Sequence, residues 1–258
     1  MKIALVQMQA VAGDVAANLK TIETAAAEAA AGGADLLVAP ELAITGYGAG
    51  EAIRDLAESV DGAQVARLGE IAGRHGLAIV AGFAERAGDE IFNSLAMLRR
   101  DAAPRVYRKT HLYAAYERAL FTPGELRPAV ADFQGLKVGF LICYDVEFPE
   151  NVRRLAHAGA EVVLVPTALP QGPFGTFIAT RVVPVRAFEN QVFVVYADHA
   201  GADGRFRYAG LSRAVGPDGV CLAASDDNAP ALLFADIDPA AYADSRKANA
   251  YLKDLRSD

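Results

Sequence analysis

Three strand-length runs of this 258-residue chain are each closely followed by a side chain of different chemistry. They lead to a carboxylate, an ammonium and a thiol: Glu41 after residues 36–39, Lys109 after residues 105–108, and Cys143 after residues 136–142. In open α/β sheets, ligands bind at the carboxyl ends of the strands. The pattern therefore predicts an α/β fold that brings these three side chains together at one edge of the sheet system.

Cys143 ends an apolar strand and is followed by a segment predicted to form a sharp turn and then a helix. Amide N–H groups and the dipole at the start of a helix favour a thiolate and an oxyanion, so a cysteine here is a candidate nucleophile. The alternative is a small buried hydrophobic residue, which is the usual state of a free cysteine. Taken with the other two groups, the pattern favours Cys143 as nucleophile, Glu41 as base and Lys109 as a fixed cation for the oxyanion.

Other hydrolytic sites fit the sequence less well. A papain-like site pairs a cysteine with a histidine, and His157 and His199 are available, but no papain-type signature surrounds Cys143. The Gly-x-Ser-x-Gly motif of serine hydrolases does not occur in the sequence. The four histidines show no metal-ligand spacing, so we expect neither a metal nor a cofactor.

Helical and strand-like segments alternate along the chain, with hairpins near the middle and the end. Helices are expected near residues 14–31, 62–74, 147–157 and 177–188, and strands near residues 2–9, 36–39, 77–83, 91–98, 105–108, 136–143, 161–165, 192–196, 208–215, 220–224 and 232–236. This mixture predicts a layered α/β fold with mixed sheets. Because no linker-like segment divides the sequence, we expect residues 1–258 to form a single domain.

Two stretches lack clean periodicity. Residues 110–134 carry Pro123, Gly124 and Pro128, and we expect a long functional loop there. The polar tail from residue 241 to residue 258 is expected to pack on a partner subunit.

Charge and composition limit the partners of the chain. The formal net charge is −7 and no Lys/Arg cluster longer than a pair occurs, so we expect no nucleic-acid partner. The longest apolar stretches are strand-sized, and two cysteines are too few for a disulfide framework. We therefore expect a cytoplasmic protein that stays out of the membrane and acts on a small molecule.

Further segments extend the pattern over nearly the whole chain: Glu117 within residues 111–117, and residues 121–124, 186–190, 210–212 and 216–219. Together with the Glu, Lys and Cys positions, they resemble the nitrilase or carbon–nitrogen hydrolase superfamily. The resemblance implies a nitrilase-like fold, an α/β four-layer α-β-β-α sandwich with two mixed sheets, and a homodimer or higher homo-oligomer. It also implies that Glu41, Lys109 and Cys143 form a catalytic triad, that Glu117 positions the substrate or the attacking water, and that a backbone N–H near Tyr144 binds the oxyanion.

The residues after Cys143 distinguish the branches of this superfamily. Tyr144-Asp145 follows the cysteine and the chain has no Trp, whereas nitrile-hydrolysing members typically carry Trp-Glu there. The chain is thus similar to the amidase and carbamoylase branches, and most of all to bacterial aliphatic amidases, 5-aminopentanamidases among them. That similarity implies hydrolysis of a linear carboxamide to the acid and ammonia through a cysteine thioester.

Three alternatives stay open at this point. An N-carbamoyl amino acid or ureide hydrolase would need a cation in its pocket to hold a carboxylate, and Arg186 or Arg207 could supply it. A nitrilase and a catalytically silent scaffold are the others. Residues 168–173, predicted to line the pocket, contain two prolines and few polar groups, which also allows an apolar acyl group instead of an amino-terminated one.

Overall fold

Two six-stranded mixed sheets form the centre of the computed structural model, which describes residues 1–100 and 102–256. The strands are β1 (Lys2–Gln7), β2 (Leu36–Val38), β3 (Ala78–Ala87), β4 (Glu90–Arg99), β5 (Ala102–Arg108), β6 (Val130–Phe133), β7 (Leu136–Phe140), β8 (Val162–Pro166), β9 (Phe193–Ala197), β10 (Arg213–Val215), β11 (Cys221–Ala224) and β12 (Ala231–Asp236). The helices are α1 (Val15–Ala31), α2 (Ala52–Leu56), α3 (Ala63–His75), α4 (Ala114–Leu120), α5 (Pro149–His157), α6 (Pro173–Phe177), α7 (Val183–Asn190), α8 (Ala243–Ala248) and α9 (Tyr251–Asp254).

The two sheets share one plan. Their strand orders are β12-β1-β2-β3-β4-β5 and β11-β10-β9-β8-β7-β6. In each sheet three neighbouring strands are parallel, β1 to β3 in the first and β7 to β9 in the second, and antiparallel strands flank them. Helical crossovers connect the parallel strands, as parallel pairing requires.

The apolar side chains of β1 show how the layers stack. Successive side chains of a strand point to opposite faces of the sheet. Ile3 and Leu5 belong to an apolar core shared with β7 to β9 of the second sheet, whereas Ala4 and Val6 pack with α1 and α3. Helices α5 and α7 pack on the second sheet. The expected four-layer α-β-β-α sandwich is confirmed.

The prediction of a long loop over residues 110–134 is wrong, because the segment contains α4 and β6. Gln134 and Gly135 both have positive φ, +51° and +78°, and form the two-residue turn between β6 and β7. Two consecutive residues with positive φ characterise a tight hairpin turn. Helix α4 turns Glu117 and Leu120 into the protein interior.

Smaller differences concern element ends. The helix expected from residue 147 begins at Pro149, after a 3₁₀ turn over Cys143–Glu147, because a proline without an N–H suits the first helical position. The strand expected over residues 208–215 is shortened to Arg213–Val215, and Tyr208 makes only an isolated bridge to Pro170. The tail forms α8 and α9; its last two residues lie outside the described part of the chain, and its packing on a partner stays a prediction. None of the helices within residues 1–100 and 102–256 is long and apolar enough to cross a bilayer.

Candidate active site

A buried ion cluster joins two of the three residues predicted from strand ends to Glu117. The Lys109 ammonium donates to Glu41 Oε1 at 2.7 Å and to Glu117 Oε1 at 2.6 Å. All three side chains are fully buried. Burial opposes the charge on Lys109, but the two carboxylates outweigh it and hold the pKa of the ammonium well above its usual value.

Glu41 lies at the junction of the two sheets. Its backbone N–H donates to the carbonyl of Thr167, just after β8, at 3.4 Å. Gly82 on β3 permits this path, because a Cβ there would fall 2.1 Å from the backbone nitrogen of Leu42. His199 contacts the Glu41 carbonyl through Nε2 at 2.7 Å and so fixes the same segment from the end of β9.

The Glu41 carboxylate has one engaged and one free oxygen. Oε1 also accepts from Asn93 Nδ2 at 2.7 Å, while Oε2 has no hydrogen-bond partner among the described residues. Burial raises the pKa of Glu41 to about 7, with Lys109 opposing the shift and Glu117 adding to it. A carboxyl group with this pKa can take up and release a proton near neutral pH, as a general base must.

Glu117 lies inside the protein on α4, and its carboxylate already makes three bonds to protein groups. Besides Lys109, Oε1 accepts from the Tyr47 hydroxyl at 2.9 Å, and Oε2 accepts from the backbone N–H of Tyr113 at 2.8 Å. The Glu117 carboxylate is therefore hydrogen-bonded to Lys109 and to two other groups of the protein. Its predicted contact with substrate or water stays a prediction.

Cys143 begins the 3₁₀ turn after β7 with a positive φ of +46°, an unfavourable conformation for a residue with a side chain. Its side chain is buried, and burial raises the pKa of the thiol well above its usual value. Glu41 adds to this rise, while the charge of Lys109 opposes it. The sequence led us to expect a stabilised thiolate, but burial outweighs Lys109, so the thiol needs a base.

Asp145 holds the strained turn in place. Its buried carboxylate accepts from the Tyr107 hydroxyl at 2.7 Å, from the Thr110 hydroxyl at 2.8 Å and from the His111 backbone N–H at 2.9 Å. These partners flank Lys109 in the sequence, so Asp145 ties the Cys143 turn to the lysine segment. Sequence reasoning used Asp145 only to choose a branch and missed this structural role.

Cys143 opens onto a cavity of about 560 Å³. The residues that line it, beside Cys143, are Tyr113, Tyr144, Glu147, residues 168–175, Phe177, Ile178, Val182 and Arg186. The prediction that residues 168–173 line the pocket is confirmed. A second cavity, of about 660 Å³, lies around β5 and residues 122–130, and Cys143 does not line it.

Tyr144 contributes its ring to the cavity wall. The ring meets those of Tyr113 and Phe148 edge to face, with centroids 5.2 Å and 4.9 Å apart. Tyr144 is thus placed next to the thiol, as predicted, and the oxyanion contact of its backbone N–H stays a prediction.

The histidines do not form a papain-like pair with the thiol. His199 is fully buried and contacts the Glu41 carbonyl, and burial lowers its pKa, which keeps the ring neutral. His157 is exposed at the end of α5.

Two further residues near the site were missed by sequence reasoning. Asp198 follows β9 and accepts from the Leu169 backbone N–H at 2.7 Å, which fixes the loop over residues 168–173. The strand-end rule that found Glu41 applies equally to Asp198 and would have identified it. Glu147 lies four residues after Cys143 and carries the only acidic side chain among the described residues that line the cavity.

Comparison with known proteins gives matches over most of the chain. A family model described as carbon-nitrogen hydrolase matches residues 2–247. A Pseudomonas protegens protein, "Hydrolase in pqqF 5'region", is 42% identical over 261 residues, which cover 99% of this chain and 89% of that protein. An (R)-stereoselective amidase of a Pseudomonas species is 39% identical, with 99% of this chain and 92% of the amidase covered.

Solved structures agree with the sequence matches. An amidase from Nesterenkonia sp. superposes with a TM-score of 0.89 at 36% identity, covering 99% of this chain and 93% of the amidase chain. A variant of that amidase has been solved after Michael addition of acrylamide at its active-site cysteine.

Proposed function

The chain belongs to the carbon–nitrogen hydrolase family, and we propose that it hydrolyses a linear aliphatic carboxamide to the carboxylic acid and ammonia through a thioester at Cys143. The observation that carries the proposal is a thiol that lies in a cavity wall and whose pKa responds to two buried charged groups, a carboxyl group with a pKa of about 7 and an ammonium paired with it. The relatives that are amidases support the same reaction class.

The proposed acylation begins with a proton transfer. Glu41 takes the thiol proton while the sulfur attacks the amide carbon, and the carbonyl oxygen becomes an oxyanion. Lys109 has three N–H donors, of which two are engaged by the glutamates, so the third is available to the oxyanion together with the Tyr144 backbone N–H. As the carbon–nitrogen bond breaks, protonated Glu41 gives its proton to the leaving nitrogen, and ammonia departs.

Deacylation reverses these roles with water. Glu41 takes a proton from the attacking water, the thioester carbon forms a second tetrahedral oxyanion, and the carbon–sulfur bond then breaks. The departing sulfur recovers its proton from Glu41. One carboxyl group therefore serves as base and acid in turn, which a pKa close to neutral pH permits.

The carbamoylase alternative finds less support in the cavity. Arg186 lines it, but the guanidinium donates to the backbone carbonyls of Val146 and Glu147 and to the carboxylate of Glu189, at 2.9, 2.7 and 3.0 Å. Arg207 is exposed and is not among the residues that line the cavity. Neither arginine offers a free cation to a substrate carboxylate.

A substrate panel tests the proposal. We expect ammonia from short aliphatic amides such as butyramide, and little from butyronitrile, N-carbamoyl amino acids or ureides. Intact-protein mass spectrometry with a slowly hydrolysed amide should show the acyl mass, and peptide mapping should place it on Cys143. The exposed thiol of Cys221 is the internal control and should stay unmodified. Equal rates on the nitrile and the amide would contradict the amidase assignment.

A further inference from the structure

Glu147 ends the 3₁₀ turn that begins at Cys143 and lines the same cavity. Its backbone carbonyl accepts from Arg186 Nη2 at 2.7 Å, which fixes the end of the turn. Its carboxylate makes no hydrogen bond and no ion pair within residues 1–100 and 102–256. A 3₁₀ helix rises about 2 Å per residue, so the Cα atoms of Cys143 and Glu147 are separated by roughly 8 Å along its axis. A short acyl chain spans such a gap.

Arg186 is the other charged side chain that lines the cavity, and its charge is neutralised by an ion pair within the protein. Its Nη1 lies 3.0 Å from the Glu189 carboxylate, and its Nε and Nη2 donate to the backbone carbonyls of Val146 and Glu147. Lys109 is fully buried in the ion cluster with Glu41 and Glu117. Among the described residues, Glu147 therefore gives the cavity its one uncompensated charge, and that charge is negative.

The surroundings of Glu147 favour a cationic ligand. Partial burial raises the pKa of Glu147 to about 7, and the charges of Lys109 and Arg186 do not cancel the rise. A carboxylate withdrawn from water without a partner is unfavourable, and a bound cation removes that cost. The rings of Tyr113 and Tyr144 line the same wall, and aromatic rings attract ammonium groups.

We propose that Glu147 selects carboxamides whose acyl chain carries a protonated amine, with the ammonium held at Glu147 and the amide carbon at Cys143. This inference rests on the proposed amidase function and names the substrate class of that site. Glu147 is then a specificity-determining residue that touches the substrate but transfers no proton.

Matched substrates separate charge from length. 5-Aminopentanamide, hexanamide and adipamate place an ammonium, a methyl or a carboxylate at the same distance from the amide, and the comparison is repeated with shorter and longer chains. Assays at a pH of about 8 keep Glu147 ionised, since its pKa is about 7. We expect kcat/KM to be highest for the ammonium substrate, at least about tenfold above the methyl one, and lowest for the carboxylate.

Two variants test the residue. Glu147→Gln should lower kcat/KM at least about tenfold for the ammonium substrate and leave hexanamide within about twofold. Glu150→Gln removes the same charge three residues further on, at an exposed position that does not line the cavity, and should change neither value. The inference would be overturned if Glu147→Gln left the ratio of kcat/KM for 5-aminopentanamide to that for hexanamide unchanged, or if the native protein preferred hexanamide or adipamate. Either result would leave the amidase function intact.

A second measurement does not depend on turnover. Pentylamine should protect Cys143 from alkylation by acrylamide better than 1-pentanol does, and Glu147→Gln should abolish that difference. If no amide releases ammonia, the proposed function fails, and the alkylation experiment still decides whether Glu147 binds a cation. Equal protection by the amine and the alcohol in the native protein would show that it does not.

Discussion

The buried ion cluster and the cavity wall each contain a glutamate whose pKa is raised to about 7, but the balance of forces differs. Glu41 is fully buried and paired with Lys109, and burial exceeds the attraction of that pair. Glu147 is partly exposed and has no hydrogen-bond or ion-pair partner among the described residues; partial burial raises its pKa, and the charges of Lys109 and Arg186 oppose that rise without cancelling it. Equal pKa values thus describe two different situations: the Glu41 carboxyl group is enclosed with its cation, whereas the Glu147 carboxyl group has no cation paired with it.

This difference implies different duties. Glu41 has one oxygen, Oε2, without a hydrogen-bond partner in the described part of the chain and is enclosed with the ammonium, which suits a group that passes protons to and from reacting atoms. Glu147 faces the cavity, which suits a group that meets the substrate. Variants in the cluster should therefore change kcat for every substrate, and variants at Glu147 should change kcat/KM for charged ones.

The largest effect is expected at the thiol between the two regions. Cys143→Ala should lower activity at least about 10⁴-fold on charged and neutral amides alike, because the nucleophile is lost. Cys143→Ser should be nearly as inactive, since a glutamate is a poor base for a hydroxyl. Cys221→Ala is the matched control and should be fully active, because that thiol is exposed on β11. An alanine variant at Cys143 that kept a tenth of the activity would show that the nucleophile is elsewhere.

The next largest effect is expected for Lys109. Lys109→Ala should lower kcat at least about a hundredfold, the scale of losing one oxyanion donor. It also leaves two buried carboxylates without their cation, so thermal unfolding must first show that the variant folds, with an expected loss of about 3–5 kcal/mol. Lys109→Arg should not restore kcat, because a planar guanidinium does not fit the place of a compact ammonium.

Lys137→Ala, at an exposed position on β7, controls for general effects of removing a lysine. Restoration of kcat by Lys109→Arg would mean that the position supplies only diffuse charge.

A smaller effect, about tenfold on kcat, is expected for Glu117→Gln, since a neutral amide holds the Lys109 ammonium less firmly. Glu117 is not among the residues that line the cavity, so KM should change little. Glu117 also raises the pKa of Glu41, so the acid limb of the rate profile should move to lower pH in the variant. Native kcat together with an unmoved acid limb would assign Glu117 a purely structural role.

The catalytic candidates were predictable because they lie where strands end. Glu41, Lys109 and Cys143 were identified from that rule together with the turn after Cys143 and the family resemblance, and the fold brings the first two into contact across 68 residues of sequence. Glu147 was not identified, because an acidic residue in a turn looks like a solvated charge until a cavity is seen around it. The pair Gln134-Gly135 was overlooked for a different reason: the proline and glycine residues upstream of it favour a loop, although its positive φ values form a hairpin turn.

The smallest effect, a change in pH slope, separates the two glutamates most directly. Glu41 must be ionised to act as base, so kcat/KM for hexanamide should fall about tenfold per pH unit below about 7. For 5-aminopentanamide, protonation of Glu147 also removes the preference for the ammonium, so the fall should be steeper, up to about a hundredfold per unit, until that preference is lost. Lys109 and Arg186 act on the pKa of Glu147, and Lys109 and Glu117 act on the pKa of Glu41. Because both substrates are measured with the same protein, these neighbouring charges are identical in the two pH profiles. Glu147→Gln should return the slope for 5-aminopentanamide to about tenfold per pH unit and leave the slope for hexanamide unchanged. The same slope for both substrates in the native protein would mean that only one of the two carboxyl groups takes part.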